Sequence, residues 1–254
     1  MTKEEGYGQA TLPQRRVSSL VSISPREPVL TFFHAGPAPK ANGPRPGVLR
    51  DGLDLVPGMA VGLFGGSFNP AHDGHAHVAE TAMRRLGLDR VVWLVSPQNP
   101  LKDAAETAPL AERMASARAA AALAASGPSM IVSDFETRAG TQWTIDTLRA
   151  LTARHRGVRF VWLMGSDSLA DFHRWRGWTD IMRMMPMAVI ARPGSLHRSR
   201  TAPAAQRFAG HRLSSAEVRL LPDMDAPAWA YLQAPLNPRS STALRAARDA
   251  AARL

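Results

Sequence analysis

The chain has 254 residues and no cysteine, and its 31 lysine and arginine residues outnumber 21 acidic ones for a formal charge of +10. This length is ample for a buried core, and the missing cysteines exclude a disulfide framework, a cysteine-based metal site and a cysteine nucleophile. No apolar run reaches the roughly 18 to 20 residues of a membrane helix, and no secretory signal is evident, so we expect a cytoplasmic protein. The positive charge fits a nucleotide, a nucleic acid or simply a basic surface.

The first part of the chain differs in composition from the rest. Residues 1–57 contain eight of the 20 prolines and show no helical or strand period. Such composition is typical of flexible chain, so we predict a disordered extension over 1–57 and one folded domain over 58–254. Met59 lies immediately before the first predicted strand, and a further hypothesis is that residues 1–58 are dispensable.

Short apolar runs then alternate with segments of helical periodicity. The apolar runs predict strands over 59–64, 91–95, 130–132, 159–164 and 187–191. The periodic segments predict helices over 74–86, 109–125, 144–155 and 241–254. This alternation predicts an α/β fold, a Rossmann-like doubly wound parallel sheet with helices on both faces. Ligands of such sheets bind at the carboxyl ends of the strands, where the segments 65–75, 96–102 and 165–175 should meet.

The segment 65–75 reads Gly-Gly-Ser-Phe-Asn-Pro-Ala-His-Asp-Gly-His. Its two glycines let backbone N–H groups approach a ligand, and the N-terminus of the helix that follows favours an anion. His72 and His75 can face the same side of the first helical turn, which suits the phosphates of a nucleotide. Metal ligation together with His77, or a purely structural role, are the alternatives. The glycine spacing matches neither a dinucleotide fingerprint nor a P-loop.

A second motif, Ser-Ser-Thr-Ala-Leu-Arg, occupies residues 240–245. Hydroxyl groups at the start of a helix normally cap it, which is the simplest interpretation. Arg245 follows Ser241 by one helical turn, so hydroxyls and a guanidinium could also clamp a phosphate.

Taken together, the two motifs resemble the nucleotidylyltransferase superfamily, and the chain is most similar to its bacterial nicotinate-nucleotide adenylyltransferases. The resemblance extends from about Met59 to the C-terminus and includes the blocks 93–102, 143–148, 165–169, 172–175 and 191–194. It implies that residues 58–254 are a catalytic domain that transfers AMP from ATP to nicotinate mononucleotide in NAD biosynthesis. The products would be nicotinate adenine dinucleotide and pyrophosphate. Mg²⁺ would be bound through the ATP phosphates, with no metal ligands from the protein.

The resemblance also implies roles for individual residues. The predicted catalytic residues are His72, His75 and Arg245. The predicted ATP-binding residues are Gly65, Gly66, Ser67, Phe68, His72, His75, Ser241, Thr242 and Arg245. The predicted residues of the nicotinate mononucleotide site are Gln98, Asn99, Trp143, Thr144, Asp167 and Trp175. In this site Trp175 would stack on the pyridine ring, with Trp178 as a competitor, and Thr144 would help to read the carboxylate.

Two other functions are compatible with the sequence. One is a related transferase acting on nicotinamide mononucleotide, phosphopantetheine or a polyol phosphate, although His72 argues against phosphopantetheine. The other is a non-catalytic nucleic-acid-binding protein, supported by the charge and by the arginine-rich segment 195–213. We expect ATP and nicotinate mononucleotide as partners rather than a membrane or nucleic acid, and assembly as a homo-oligomer stays open.

Overall fold

The computed structural model describes residues 51–98, 107–193 and 195–233. Within them, six strands form one sheet in which all neighbouring strands are parallel. The strands are β1 (Ala60–Gly66), β2 (Arg90–Val95), β3 (Met130–Ser133), β4 (Arg159–Gly165), β5 (Met187–Ile190) and β6 (Trp229–Leu232). The order β3-β2-β1-β4-β5-β6 is that of doubly wound nucleotide-binding sheets. The predicted fold class is confirmed.

Helices connect these strands. In the described ranges the α-helices are α1 (Asp73–Leu86), α2 (Leu110–Ala122), α3 (Phe135–Ala139), α4 (Thr144–Arg154), α5 (Ser166–Asp171), α6 (Trp178–Met184), α7 (Leu196–Arg200) and α8 (Pro203–Arg207). Short 3₁₀ segments occupy Gly127–Ser129, Phe172–Arg174, Ala209–His211 and Val218–Asp223. The predicted helix over 241–254 and the predicted disorder of residues 1–50 lie outside the described residues. No helix that the structure describes is long and apolar enough to span a membrane.

The strands are apolar on both faces because helices cover both faces of the sheet. Along β2, Val91, Trp93 and Val95 join one buried cluster with residues of α1 and α2. Val92 and Leu94 point the other way, into a second buried cluster with residues of α4 and α6. This alternation leaves the carboxyl ends of the strands, and the loops that follow them, to form a site.

Residues 51–58 pack onto this domain, and this differs from the predicted disorder. Leu53 is fully buried in the second cluster, and Arg90 donates a 2.9 Å hydrogen bond to its carbonyl oxygen. The Asp51 carboxylate lies 2.7 Å from Nε2 of His155, at the end of α4. One leucine and one aspartate are too sparse a pattern to stand out in proline- and glycine-rich sequence. The folded unit therefore begins before Met59, and removal of the segment 51–58 would uncover part of its core.

Candidate active site

The strand order reverses between β1 and β4, where sheets of this kind bind ligands at the carboxyl ends. β1 ends at Gly65 and Gly66. The indole of Trp162, on β4, lies so close to Gly65 that a β-carbon there would overlap the ring. A β-carbon at Gly66 would meet the ring of Phe68 at 3.0 Å. Both glycines are therefore needed for packing beneath the loop.

His72 and His75 cap α1 through their side chains. Nδ1 of His72 accepts a hydrogen bond from the Gly74 N–H at 3.0 Å, and Nδ1 of His75 accepts one from the His72 N–H at 3.2 Å. A neutral imidazole that accepts at Nδ1 carries its proton at Nε2. Nε2 is thus the donor nitrogen of both rings, whose centroids are 4.1 Å apart at a helix end that favours anions. The role of the pair as phosphate donors stays a prediction from the sequence.

Aromatic rings pack against one another and against His75 in the loop that follows β1 and at the start of α1. The Phe68 ring is almost fully buried, stacks on Trp93 with centroids 5.2 Å apart, and meets the edge of His75 at 5.1 Å. Phe64 contacts both Phe68 and Trp93 edge-to-face at 5.4 Å. Phe68 has φ 46°, in the left-handed region that costs a residue with a β-carbon about 1 kcal/mol. Its side chain therefore anchors the loop.

The predicted residues of the mononucleotide site lie in neighbouring segments. Trp143 and Thr144 begin α4, and the Arg176 guanidinium lies 5.4 Å from the centroid of the Trp143 ring. Arg176 directly follows Trp175, so the structure brings these predicted residues together. Gln98 follows β2 and is half-buried. The other predicted site residues, Asn99, Ser241, Thr242 and Arg245, lie outside the described residues.

Trp175 and Trp178 differ in their surroundings. Trp175 is half-buried and contacts Trp162 and Phe172 edge-to-face, with centroids 6.3 and 5.3 Å apart. Trp178 has the Arg207 guanidinium 5.8 Å above its ring, and it packs against α8. Since Trp178 is engaged by α8, Trp175 remains the better candidate for stacking on a ligand.

Asp167 has a partner that sequence reasoning missed. Its carboxylate pairs with the Arg192 guanidinium at 2.9 Å, and its side chain is 51% exposed. The Arg192 N–H in turn donates to Oγ of Ser166 at 2.8 Å, and this hydroxyl lies 2.6 Å from Oγ of Ser195. The signal was available, because the two charged residues follow the adjacent parallel strands β4 and β5.

Sequence reasoning also missed a buried carboxyl beside the segment of Trp143. Glu136, on α3, is 6% exposed, and burial raises its pKa to about 7 although a hydrogen bond from Thr147 acts in the opposite direction. The Thr147 hydroxyl also lies 3.3 Å from the Trp143 carbonyl oxygen and 2.9 Å from the Thr141 hydroxyl. A glutamate within a short polar helix has no sequence signal of burial.

Two alternative interpretations of the sequence concern a metal site and a nucleic-acid-binding segment. Among the described residues, no three histidine, aspartate or glutamate side chains form a group that could hold a metal ion. The arginine-rich segment 195–213 is packed as α7 and α8 through buried residues such as Phe208, and its arginines are exposed. They lie on the surface of the described part of the chain.

Comparisons with known proteins agree with this geometry. The family model described as cytidylyltransferase-like matches residues 63–247. A protein of Caulobacter sp. (strain K31), described as "Probable nicotinate-nucleotide adenylyltransferase", is 66% identical over 187 residues, which are 74% of this chain and 97% of that protein. A protein of Methylorubrum extorquens with the same description is 52% identical over 74% of this chain and 99% of its own length.

Solved structures show the same fold. The nicotinic acid mononucleotide adenylyltransferase of Plasmodium falciparum complexed with NaAD matches with a TM-score of 0.55 and 14% identity, over 73% of this chain and 82% of that one. The family model and the relatives show that the protein is a nucleotidyltransferase. The chain belongs to the cytidylyltransferase-like family and, within it, to the nicotinate-nucleotide adenylyltransferases. The family predicted from the sequence is confirmed.

Proposed function

We propose that this enzyme transfers AMP from ATP to nicotinate mononucleotide, forming nicotinate adenine dinucleotide and releasing pyrophosphate. The observation that carries the proposal is the reciprocal histidine cap at the start of α1, the helix that follows β1. The descriptions of the Caulobacter and Methylorubrum relatives support the acceptor. The reaction is a step of NAD biosynthesis.

In this reaction a phosphate oxygen of the mononucleotide attacks the α-phosphorus of ATP in line. A new P–O bond forms, the bond to the bridging oxygen of the β-phosphate breaks, and pyrophosphate leaves with that electron pair. The protein supplies positioning and electrostatic stabilisation rather than a covalent intermediate. Mg²⁺ bound through the ATP phosphates would neutralise part of their charge.

The ATP side is formed by the first motif. Nε2 of His72 and Nε2 of His75 donate to phosphate oxygens, and the backbone of Ser67 and Phe68 lies against the nucleotide. We assign the β- and γ-phosphates to the second motif as well, with Ser241, Thr242 and Arg245 as the donors; this part of the proposal rests on the family resemblance.

The acceptor side is formed by the segments around Trp143 and Trp175. Trp175 stacks on the pyridine ring, and Thr144 donates to the carboxylate from the first turn of α4, whose N-terminus also favours an anion. Asp167 lies beside a ribose, held by Arg192. Gln98 and Asn99 line the junction between the two nucleotides. The cytoplasmic location and the oligomeric state stay predictions from the sequence.

Substitution of His72 separates capping from phosphate binding. Asparagine retains an oxygen that caps the helix, so the free energy of unfolding of His72→Asn should stay within about 0.5 kcal/mol of the wild-type value. His72→Ala lacks a capping group, and its free energy of unfolding should be lower by about 1 kcal/mol. Both variants lack the imidazole donor, and both should lose about a hundredfold in turnover. Pyrophosphate release with MgATP and nicotinate mononucleotide measures the second effect, and thermal melting the first.

The matched control is His197→Asn, which changes an exposed histidine on α7 and should keep turnover within about twofold. Near-normal turnover of His72→Asn would contradict the role of the cap in phosphate binding.

A further inference from the structure

An arginine is buried beneath the loop 66–72, which follows β1 and is called the phosphate loop below. Arg113 lies on α2, is 2% exposed, and donates only to backbone carbonyl oxygens in the contacts described. Its Nε donates to Ala108 at 2.8 Å, and one terminal nitrogen donates to Ser67 at 2.9 Å and to Ser96 at 2.6 Å. The other terminal nitrogen donates to Pro97 at 2.8 Å. One guanidinium therefore joins the loop after β1, the loop after β2 and the start of α2.

The same helix holds the phosphate loop at a second point. Oγ of Ser116, one turn beyond Arg113, accepts a hydrogen bond from the Ala71 N–H at 3.1 Å and donates to the Arg113 carbonyl at 2.9 Å. Oδ1 of Asn69 accepts from the Ala108 N–H at 3.2 Å. The loop that leads to His72 is thus attached to α2 along its length.

The contact with Ser67 orients a peptide group of the ATP site. The Ser67–Phe68 peptide is not among the cis bonds, so its carbonyl and its N–H point in opposite directions. Because the carbonyl oxygen is held by Arg113, the Phe68 N–H points away from α2. A charged donor on the carbonyl also polarises the peptide and strengthens that N–H as a donor.

The charge of Arg113 has no acidic counterpart in the described part of the chain. None of the ion pairs found there includes it, and burial lowers the pKa of its guanidinium from the ordinary value. Retaining a buried arginine without a carboxylate is costly for a purely structural tie. An uncompensated positive charge close beneath a loop that binds phosphates also favours anionic ligands there.

We propose that Arg113 is a positioning residue that couples the ATP loop after β1 to the loop after β2, which lines the junction between the two nucleotides. This inference rests on the proposed function. Arg113 touches neither substrate. It holds the two loops in the register that in-line transfer requires, where misplacement by about 1 Å costs about a hundredfold in rate.

The test compares Arg113→Met and Arg113→Lys in the full-length chain. Methionine leaves all the carbonyls without a donor, so kcat should fall about a hundredfold, while the KM for ATP changes less than about threefold because the substrate contacts persist. Lysine keeps the positive charge but lacks the planar guanidinium with its several donors. The kcat of Arg113→Lys should therefore be about tenfold higher than that of Arg113→Met. Ser116→Ala removes the second attachment and should lower kcat by about threefold to tenfold.

Two controls separate positioning from stability. Leu86→Ala removes a buried side chain at the far end of α1, about 20 Å along that helix from the site, and lowers stability without touching either loop. Arg118→Met changes an exposed arginine on α2 and should leave every quantity unchanged. All variants are assayed well below their melting temperatures.

Amide hydrogen exchange gives a readout that does not depend on catalysis. Peptides covering 66–72 and 96–98 should exchange faster in Arg113→Met than in Leu86→Ala. Equal kcat and equal exchange in these two variants would overturn the inference. If neither Arg113 variant folds, the test passes to Ser116→Ala, and wild-type kcat and wild-type exchange in that variant would overturn the inference. A wild-type chain that releases no pyrophosphate would instead overturn the proposed function, and the exchange comparison would still decide the coupling of the loops.

Discussion

Replacement of Leu53 by alanine tests whether the segment 51–58 belongs to the folded domain. Leu53 has no exposed surface and lies in the apolar cluster beneath α4 and α6. Loss of a leucine side chain at such a position costs about 2 to 5 kcal/mol, including the cavity that remains. For a domain of this size each kcal/mol corresponds to about 2 to 4 °C. Leu53→Ala should therefore lower the melting temperature of the full-length chain by about 5 to 15 °C.

The control lies three residues away in the same segment. Val56 is 57% exposed, so Val56→Ala should change the free energy of unfolding by less than about 0.5 kcal/mol. Thermal unfolding followed by circular dichroism measures both variants. Turnover at low temperature should be unchanged in both variants. The segment precedes β1 and lies at the amino ends of the strands, whereas the candidate site lies at their carboxyl ends. Equal melting temperatures of the two variants would refute the assignment of Leu53 to the core.

Two further predictions concern the acceptor side. Because the pKa of Glu136 is raised by burial to about 7 from 4.5, the folded chain keeps a proton that the unfolded chain has lost, and the free energy of unfolding falls as pH rises through this range. In Glu136→Gln the free energy of unfolding should fall by up to about 3 kcal/mol less over the same pH range, as measured by urea titrations at a series of pH values. An unchanged dependence of this free energy on pH would contradict the prediction. Trp175→Leu should raise the KM for nicotinate mononucleotide about tenfold and leave that for ATP within about twofold. Trp178→Leu should lower the melting temperature without this change in KM, and the reverse pattern would exchange the two assignments.

Much of the fold follows from periodicity, since every strand predicted from an apolar run is present within about two residues. β6 escaped prediction because its four residues follow Pro227 and are preceded by a region of short 3₁₀ structure without a clear period. The short helices α3, α5, α7 and α8 are too brief for a repeating pattern to form.

The sequence predicted the candidate functional side chains of the site better than the residues that hold them in place. His72 and His75 were predicted from their spacing, but their role as mutual caps depends on the backbone at the start of α1. Trp162 was missed because its contact with Gly65 joins strands about a hundred residues apart in sequence. Arg113 was missed for a related reason: an arginine in an alanine-rich helix indicates a solvated face, and only the fold places it beneath two loops.

The central claim is the transfer of AMP to nicotinate mononucleotide, and a comparison of acceptors tests it most directly. Pyrophosphate release would be measured with MgATP and, in separate reactions, nicotinate mononucleotide, nicotinamide mononucleotide or phosphopantetheine. The account predicts rapid release with nicotinate mononucleotide and a strong preference for it over the amide. Preference for the amide would contradict the pyridine-site assignments of Thr144 and Trp175, and no release with any acceptor would contradict the proposed reaction.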